Sequence, residues 1–167
     1  MLEEVAGPLP RRVELVRGES VASFMWRLAE RNGITWEALV WRIGGPRTLT
    51  QADPEVQEVR LGPVAQQLLA VACGRSVVDL ERALPSWAQG RIGVRARHQV
   101  RVEAWPEGEL PVQACSLCVA GLSGRPVWRA HGEQWAVCVR HGRWMGTGGR
   151  SQKGVDLLRV LAIKPPA

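Results

Sequence analysis

Gly18-Glu19-Ser20-Val21-Ala22-Ser23-Phe24-Met25-Trp26-Arg27-Leu28-Ala29-Glu30-Arg31-Asn32-Gly33 is the stretch that decides the fold. Ser20 is a helix-capping residue, because its side-chain oxygen accepts from a first-turn N–H that has no partner within the helix. Val21, Phe24, Met25 and Leu28 then recur at i, i+3, i+4 and i+7, which makes one apolar face of a helix. Asn32-Gly33 ends it, since these residues accept the left-handed conformation that closes a helix. Thr35 caps a second helix in which Trp36, Leu39, Val40 and Ile43 repeat the spacing, and Gly44-Gly45-Pro46 stops that one. Two short helices across a tight Asn-Gly turn form a helix-turn-helix-like unit.

Further along, a polar connection through Asp53-Pro54 leads to Pro63, a favoured first helical residue. Val64, Leu68 and Val71, with Leu69 and Ala72, give a third helix closing at Gly74. Ser76-Val77-Val78-Asp79 has the form of a capping box, and a fourth helix through Leu80 and Leu84 ends before Pro85. Residues 19–84 are therefore expected to be a small helical, helix-turn-helix-like domain. In the other direction, Gly7-Pro8-Leu9-Pro10 has no periodicity, so residues 1–18 form an extended arm.

Beyond residue 84 the pattern changes. Ile92, Val94, Ala96, Val100 and Val102 alternate on one face with His98, and Arg91, Arg95, Arg97, Gln99 and Arg101 occupy the other. That is the period of a half-buried strand, so residues 85–110 are expected to be a connecting basic strand. A zinc-binding domain of zinc-finger or ribbon type is expected over 111–150, including a glycine-rich loop at Gly146-Thr147-Gly148-Gly149. A C-terminal helix, from Val155 to Ile163, and a tail occupy 151–167. The fold class is mainly α, with the small zinc domain following the helical one.

Cys115-x-x-Cys118 and Cys138-x-x-His141 are the reason for placing a metal in that half. Two ligands separated by two residues grip one ion from a single tight turn, and a structural zinc site takes four such ligands in a tetrahedron. The 19 residues between the grips are enough to bring the chain back beneath the ion. Four protein ligands leave no open position, so the site reads as structural. His131 also lies between the grips, but its spacing to Cys138 is less regular. His98 reads as a partly buried imidazole on the strand, and Cys73 as an inert buried thiol within the third helix.

The 167 residues carry a net charge of +6, from 20 Arg and two Lys against 16 acids. Residues 1–84 hold 10 basic and 11 acidic side chains, whereas residues 85–167 hold 12 and 5. Any electrostatic contact with nucleic acid falls to the second half. Its candidates are Arg91, Arg95, Arg97 and Arg101, joined by Arg140, Arg143 and Arg150 near the metal, and a solvated arginine-rich face is the plainer reading of the same residues. No apolar run is long enough to span a membrane, and the opening MLEEVAGPLPRR is acidic and proline-bearing, so a cytoplasmic location is expected. No Ser-His or paired-carboxylate constellation appears at a recognisable spacing, and the chain reads as a non-enzyme.

The run Leu9-Pro10, Gly18-Glu19-Ser20, Ser23-Phe24, Arg27-Leu28-Ala29, Asn32-Gly33 resembles the opening of the TniQ family, whose first helix has the form E-S-x-x-S-[WF]-x-x-R-[LI]-A-x-x-N-G. Ala114-Cys115-x-x-Cys118, Trp128-Arg129 and Trp135-x-x-Cys138-x-x-His141-Gly142 are similar to that family's C-x-x-C…W…C-x-x-H-G pattern. Ser116 and Val139 depart from it, standing where proline is common; neither position ligates. At this length the resemblance implies a short adaptor used in transposition, one that links a target-recognition module to an AAA+ ATPase. The recognition module is either a CRISPR effector with its RNA or a DNA site, and homo-oligomers are possible within such assemblies.

The second helix offers Glu37, Trp41 and Arg42, a poor surface for reading DNA. Trp26 and Trp41 fall off the apolar stripes of their helices. They either pack against a neighbouring element, the reading that tryptophan's usual burial favours, or anchor a partner. The alternative function is a stand-alone zinc-containing regulator that binds a specific DNA sequence.

Overall fold

The structure is a computed structural model, and it describes residues 7–89, 99–122, 124–130 and 135–146. Among them are five short helices and three two-stranded antiparallel sheets. The helices are α1 (Val21–Asn32), α2 (Trp36–Arg42), α3 (Pro63–Cys73), α4 (Val77–Ala83) and α5 (Ser86–Gln89). The strands are β1 (Gln57–Leu61), β2 (Val100–Ala104), β3 (Val112–Gln113), β4 (Trp128–Arg129), β5 (Trp135–Cys138) and β6 (Arg143–Gly146).

The caps form where the sequence places them. Ser20 accepts from Ser23 N at 3.0 Å, Thr35 from Ala38 N at 3.2 Å, and Ser76 from Asp79 N at 3.1 Å. Gly33 ends α1 at φ +65°, and its N–H donates to the Ala29 and Glu30 carbonyls that the helix leaves free. Asn32 does more than stop the helix. It accepts from Arg11 N and donates to Arg11 O, both at 2.9 Å, so the N-terminal segment is tied to the end of α1. That segment has no regular secondary structure, yet Leu9 and Val13 are buried in the main core.

Two expectations need correction. Residues 19–84 are not purely helical: Gln57–Leu61, read as part of a polar connection, is β1, and it pairs along its whole length with β2 in the register Val59↔Val102. The partner lies some forty residues downstream, and Val100 belongs to the same core as Phe24, Leu28 and Leu39. Mixed helix and sheet, rather than mainly α, describes the fold. The third helix buries Leu69 and Ala72 as expected and packs Leu68 on the core, but not the whole expected set. Ala65, Leu69, Ala70, Ala72 and Cys73 point inward, while Val64 and Val71 are exposed, because α3 is apolar on most of its circumference and its small residues allow the closer approach. The expected alternation along β2 holds where it is described, with Val100 buried and Arg101 exposed. Residues 91–98 and the segment Val155–Ile163 lie outside the described residues.

A set of buried polar side chains organises the centre. Glu19 and Arg27 are both buried and meet through Nε at 2.8 Å and Nη2 at 2.5 Å, and Ser23 Oγ donates to the same carboxylate at 2.9 Å. Burial pushes the Glu19 carboxyl up from its ordinary value, and the Arg27 guanidinium opposes that shift. Beneath α1, the buried Glu58 of β1 accepts from Ala22 N and Val59 N, each at 2.8 Å, from Val21 N at 3.2 Å, and from Ser86 Oγ. It thereby satisfies two first-turn N–H groups at the positive end of the α1 dipole. Burial raises the Glu58 carboxyl as well, and these donors act against it.

The half that carries Cys115, Cys118, Cys138 and His141 attaches at the same place. Ser20 N donates to Trp128 O at 2.8 Å, Ala130 N donates to Gly18 O at 2.9 Å, and Trp128 N donates to Ser23 Oγ at 3.0 Å. Gly18 has φ +83°, and a Cβ there would stand 3.0 Å from Arg129 Nε. Removing one member of a buried ion pair leaves the other charge unpaired, so Arg27→Ala is expected to lower unfolding free energy by about 3–5 kcal/mol in urea titrations. Gly18→Ala is expected to cost about 1–2 kcal/mol, the usual penalty of left-handed backbone for a residue with a Cβ, measured in the same way.

Candidate metal centre

Each grip is a tight turn built on one strand. After β3 the chain turns at Cys115, where Cys118 N and Val119 N both donate to Cys115 O, at 2.9 and 3.2 Å. At the end of β5 the same geometry recurs: His141 N and Gly142 N donate to Cys138 O at 3.1 and 2.7 Å. Gly142, at φ +59°, then reverses the chain into β6, which pairs with β5 in the register Cys138↔Arg143. β3 packs beside β6, so the two turns face one another.

Cys115 Sγ, Cys118 Sγ, Cys138 Sγ and one ring nitrogen of His141 lie within 4.8 Å of one another and can hold a metal ion. His141 Nδ1 is 3.6 Å from Cys115 Sγ, 3.3 Å from Cys118 Sγ and 3.5 Å from Cys138 Sγ, and Cys118 Sγ is 3.5 Å from Cys138 Sγ. A tetrahedron with metal–sulfur bonds of about 2.3 Å and a metal–nitrogen bond of about 2.05 Å has edges of roughly 3.6–3.8 Å. The four separations given are a few tenths shorter at most, and the Cys115–Cys118 and Cys115–Cys138 pairs lie within 4.8 Å, so the donors are close enough together to hold an ion. Met145 is buried against Cys115 and Cys138 and gives the cluster an apolar backing.

Crowded thiols share protons unequally. Cys118 is pushed up to about 11, first by its hydrogen bond with Cys138 and then by burial. Burial also works against the Cys138 thiolate, but hydrogen bonds with His141 and Cys118 outweigh it and bring that thiol down to about 6. A cation at the centre would replace this sharing by drawing all three sulfurs to the thiolate form. Cys73 stands apart in α3, where burial pushes its thiol up to about 11, in keeping with an unreactive core residue.

The other sequence candidates are scattered. Arg140 and Arg143 are exposed beside the second grip, and Arg101 is exposed on β2, opposite Arg60. Arg91, Arg95, Arg97 and Arg150, together with His98 and His131, lie outside the described residues. Trp41 is 52% exposed, with the Arg47 guanidinium 4.3 Å from its ring centre. Trp26 is partly buried: its Nε1 donates to Ala52 O at 2.7 Å, and Arg125 covers its ring at 4.4 Å. Sequence reasoning missed Arg125 and Glu58, because nothing local to either residue signals a partner so distant in the chain.

Two like-shaped turns, each supplying two side chains able to ligate a metal and attached through β4 to a capped helix, define a small mixed helix-and-sheet protein with a cysteine-histidine cluster that can hold an ion. The chain belongs to the TniQ family, whose model matches residues 10–144 and so takes in both α1 and the four clustered ligands. No curated protein and no solved structure matches the chain.

Elemental analysis of the purified protein is expected to give one equivalent of bound metal. Because protons compete for the thiolates, acidification or a chelator should release it and lower the melting temperature. Cys118→Ser should behave like the chelated protein. A metal-free preparation that melts at the same temperature as the untreated one would exclude the site.

Proposed function

We propose that this chain is a non-catalytic adaptor in DNA transposition, linking a target-recognition module to an AAA+ transposition ATPase, and that its metal is a single structural Zn2+. The observation that carries the reading is the family match across both halves. Its physical counterpart supports it: the family's helix motif and its tryptophan are the residues that join those halves, through the bonds of Ser20 and Ser23 to Trp128. Three thiolates and an imidazole at near-tetrahedral separations favour zinc over harder cations, and four protein ligands leave no position for a substrate.

The surfaces available to partners are chemically distinct. On the helical side the half-exposed Trp41 with its stacked Arg47 has the composition of an interface anchor. At the second grip Arg140 and Arg143 supply positive charge for an acidic partner, either the ATPase or the phosphates of RNA or target DNA. A target-recognition partner of the CRISPR type, a DNA site, and a second copy of the chain all fall within this reading.

Size-exclusion chromatography with an AAA+ transposition ATPase from the same genome, in the presence of ATP and DNA, tests the proposal. Co-elution that Trp41→Ala or Arg140→Glu weakens at least tenfold is the expected result. Tight, sequence-selective DNA binding by the chain alone, with no ATPase in the complex, would instead establish a free-standing regulator.

A further inference from the structure

Residues 1–84 hold nearly equal numbers of basic and acidic side chains, and that balance conceals where the basic ones stand. The N-terminal arm, residues 7–13, crosses the C-terminal ends of three helices and meets an arginine at each. At α2, Arg42 donates to Gly7 O. At α1, Arg11 Nη1 donates to Arg31 O at 3.5 Å. At α3, Arg75 Nη2 donates to Val13 O at 3.4 Å, and a Cβ on Gly74 would stand 3.3 Å from Arg12 Nε. Arg11, Arg12 and Arg31 are exposed, and Arg42 and Arg75 are half-buried. Among the described residues none of these five arginines is ion-paired. Glu14 adjoins the arm, whereas Glu30, beside Arg31, is engaged by Arg125 at 3.5 Å.

One cation at a helix C-terminus complements the dipole, and Arg31 and Arg42 already sit in the last turns of α1 and α2. Arg11 brings like charge to the end of α1, and Arg12 joins Arg75 beyond the end of α3, a repulsion that a polyanion would relieve. The arm spans at most about 22 Å, which sets five cations along a length over which each strand of a DNA duplex carries a phosphate about every 3.4 Å. The remaining chemistry narrows the partner. Leu9 and Val13 are buried, so the arm offers a protein no apolar anchor. Residues 7–13 include no aromatic ring on which unpaired bases could stack, the usual device for holding single strands. The Asn32 amide, a group able to read base edges, is used up: its oxygen accepts from Arg11 N, and its nitrogen donates to Arg11 O and Leu28 O.

We propose that the arm and the helix ends beneath it form a second cationic surface, on the helical half, that grips the phosphate backbone of duplex DNA without reading its sequence. Arg11, Arg12 and Arg31 make the phosphate contacts, while Arg42 and Arg75 hold the arm in place and add to its field. The inference rests on the transposition reading only in taking the duplex to be DNA. The test uses the chain without the ATPase, so failure of either experiment leaves the other untouched.

Fluorescence anisotropy of the full chain, with its metal bound, reads this surface through labelled duplexes of about 20 base pairs and two unrelated sequences, over roughly 50 to 300 mM NaCl. The two duplexes should bind within about twofold of one another, as backbone contacts carry no sequence information. Arg12→Gln combined with Arg31→Gln should weaken binding roughly tenfold at about 100 mM salt and reduce the magnitude of the slope of log K against log salt by about 1.8, the counterion release of two phosphate contacts. Arg12→Lys combined with Arg31→Lys keeps the charge and should keep the slope. Both side chains are exposed and make no hydrogen bond among the described residues, so all of these variants should melt as the parent does. In an Arg140→Gln, Arg143→Gln background the arm substitutions should lower the slope by the same amount, which separates the two cationic surfaces. No binding at the lowest salt, an unchanged slope in the glutamine variant, an equal loss in the lysine variant, or tighter binding of single-stranded DNA or of polyglutamate than of duplex would overturn the proposal.

Discussion

A carboxylate taken out of water loses its hydration and persists as an ion only where fixed donors replace that hydration. Glu19 is fully buried just before α1, and its donors are the Ser23 hydroxyl and the Arg27 guanidinium, in the first and second turns of that helix. The arrangement requires α1 to be helical from its first turn, because only the helix brings residues 23 and 27 to the same side as residue 19. It also uses up the Ser23 proton, which leaves the Ser23 oxygen to accept from Trp128 N in the other half of the molecule. Helix start, ion pair and inter-half contact are therefore one network, and loss of any member exposes polar groups that have no access to water.

Glu58 extends that network downward. It closes the open end of α1 from below while Ser20 closes it from within, and it draws Ser86 at the start of α5 onto β1. A carboxylate in the middle of a core is expensive, and here four donors offset the expense while fixing where the strand, the long helix and the short one meet. A purely apolar contact would not specify that register, since apolar surfaces slide past one another at little cost.

Much of this was legible and some was not, for a physical reason in each case. Capping residues act over three positions, so Ser20, Thr35 and Ser76 declared their helices from local sequence. Ligand spacing is local within each grip, which is why Cys115, Cys118, Cys138 and His141 could be singled out before their atoms were seen together. β1 was missed because its inward residues include a glutamate whose donors come from elsewhere in the chain, and because its partner strand lies about forty residues away. Val64 and Val71 of α3 were misplaced while Leu69 and Ala72 were not, because a helix apolar on most of its circumference gives little contrast by which to choose a side. The Asn32 and Trp128 positions of the family pattern acquire their meaning only in three dimensions, as a clasp on Arg11 and as a bridge to Ser20.

The bridge between residues 18–20 and residues 128–130 bears on how the molecule is made. During synthesis α1 emerges from the ribosome about a hundred residues before the strand that accepts from Ser20 N and donates to Ser23. Until Trp128 appears, two of the polar groups at the helix start must be satisfied by water, on a surface that the finished protein seals. The helical portion therefore waits in an unfinished state for most of translation, and the half with the cysteine-histidine cluster is the part whose arrival completes it.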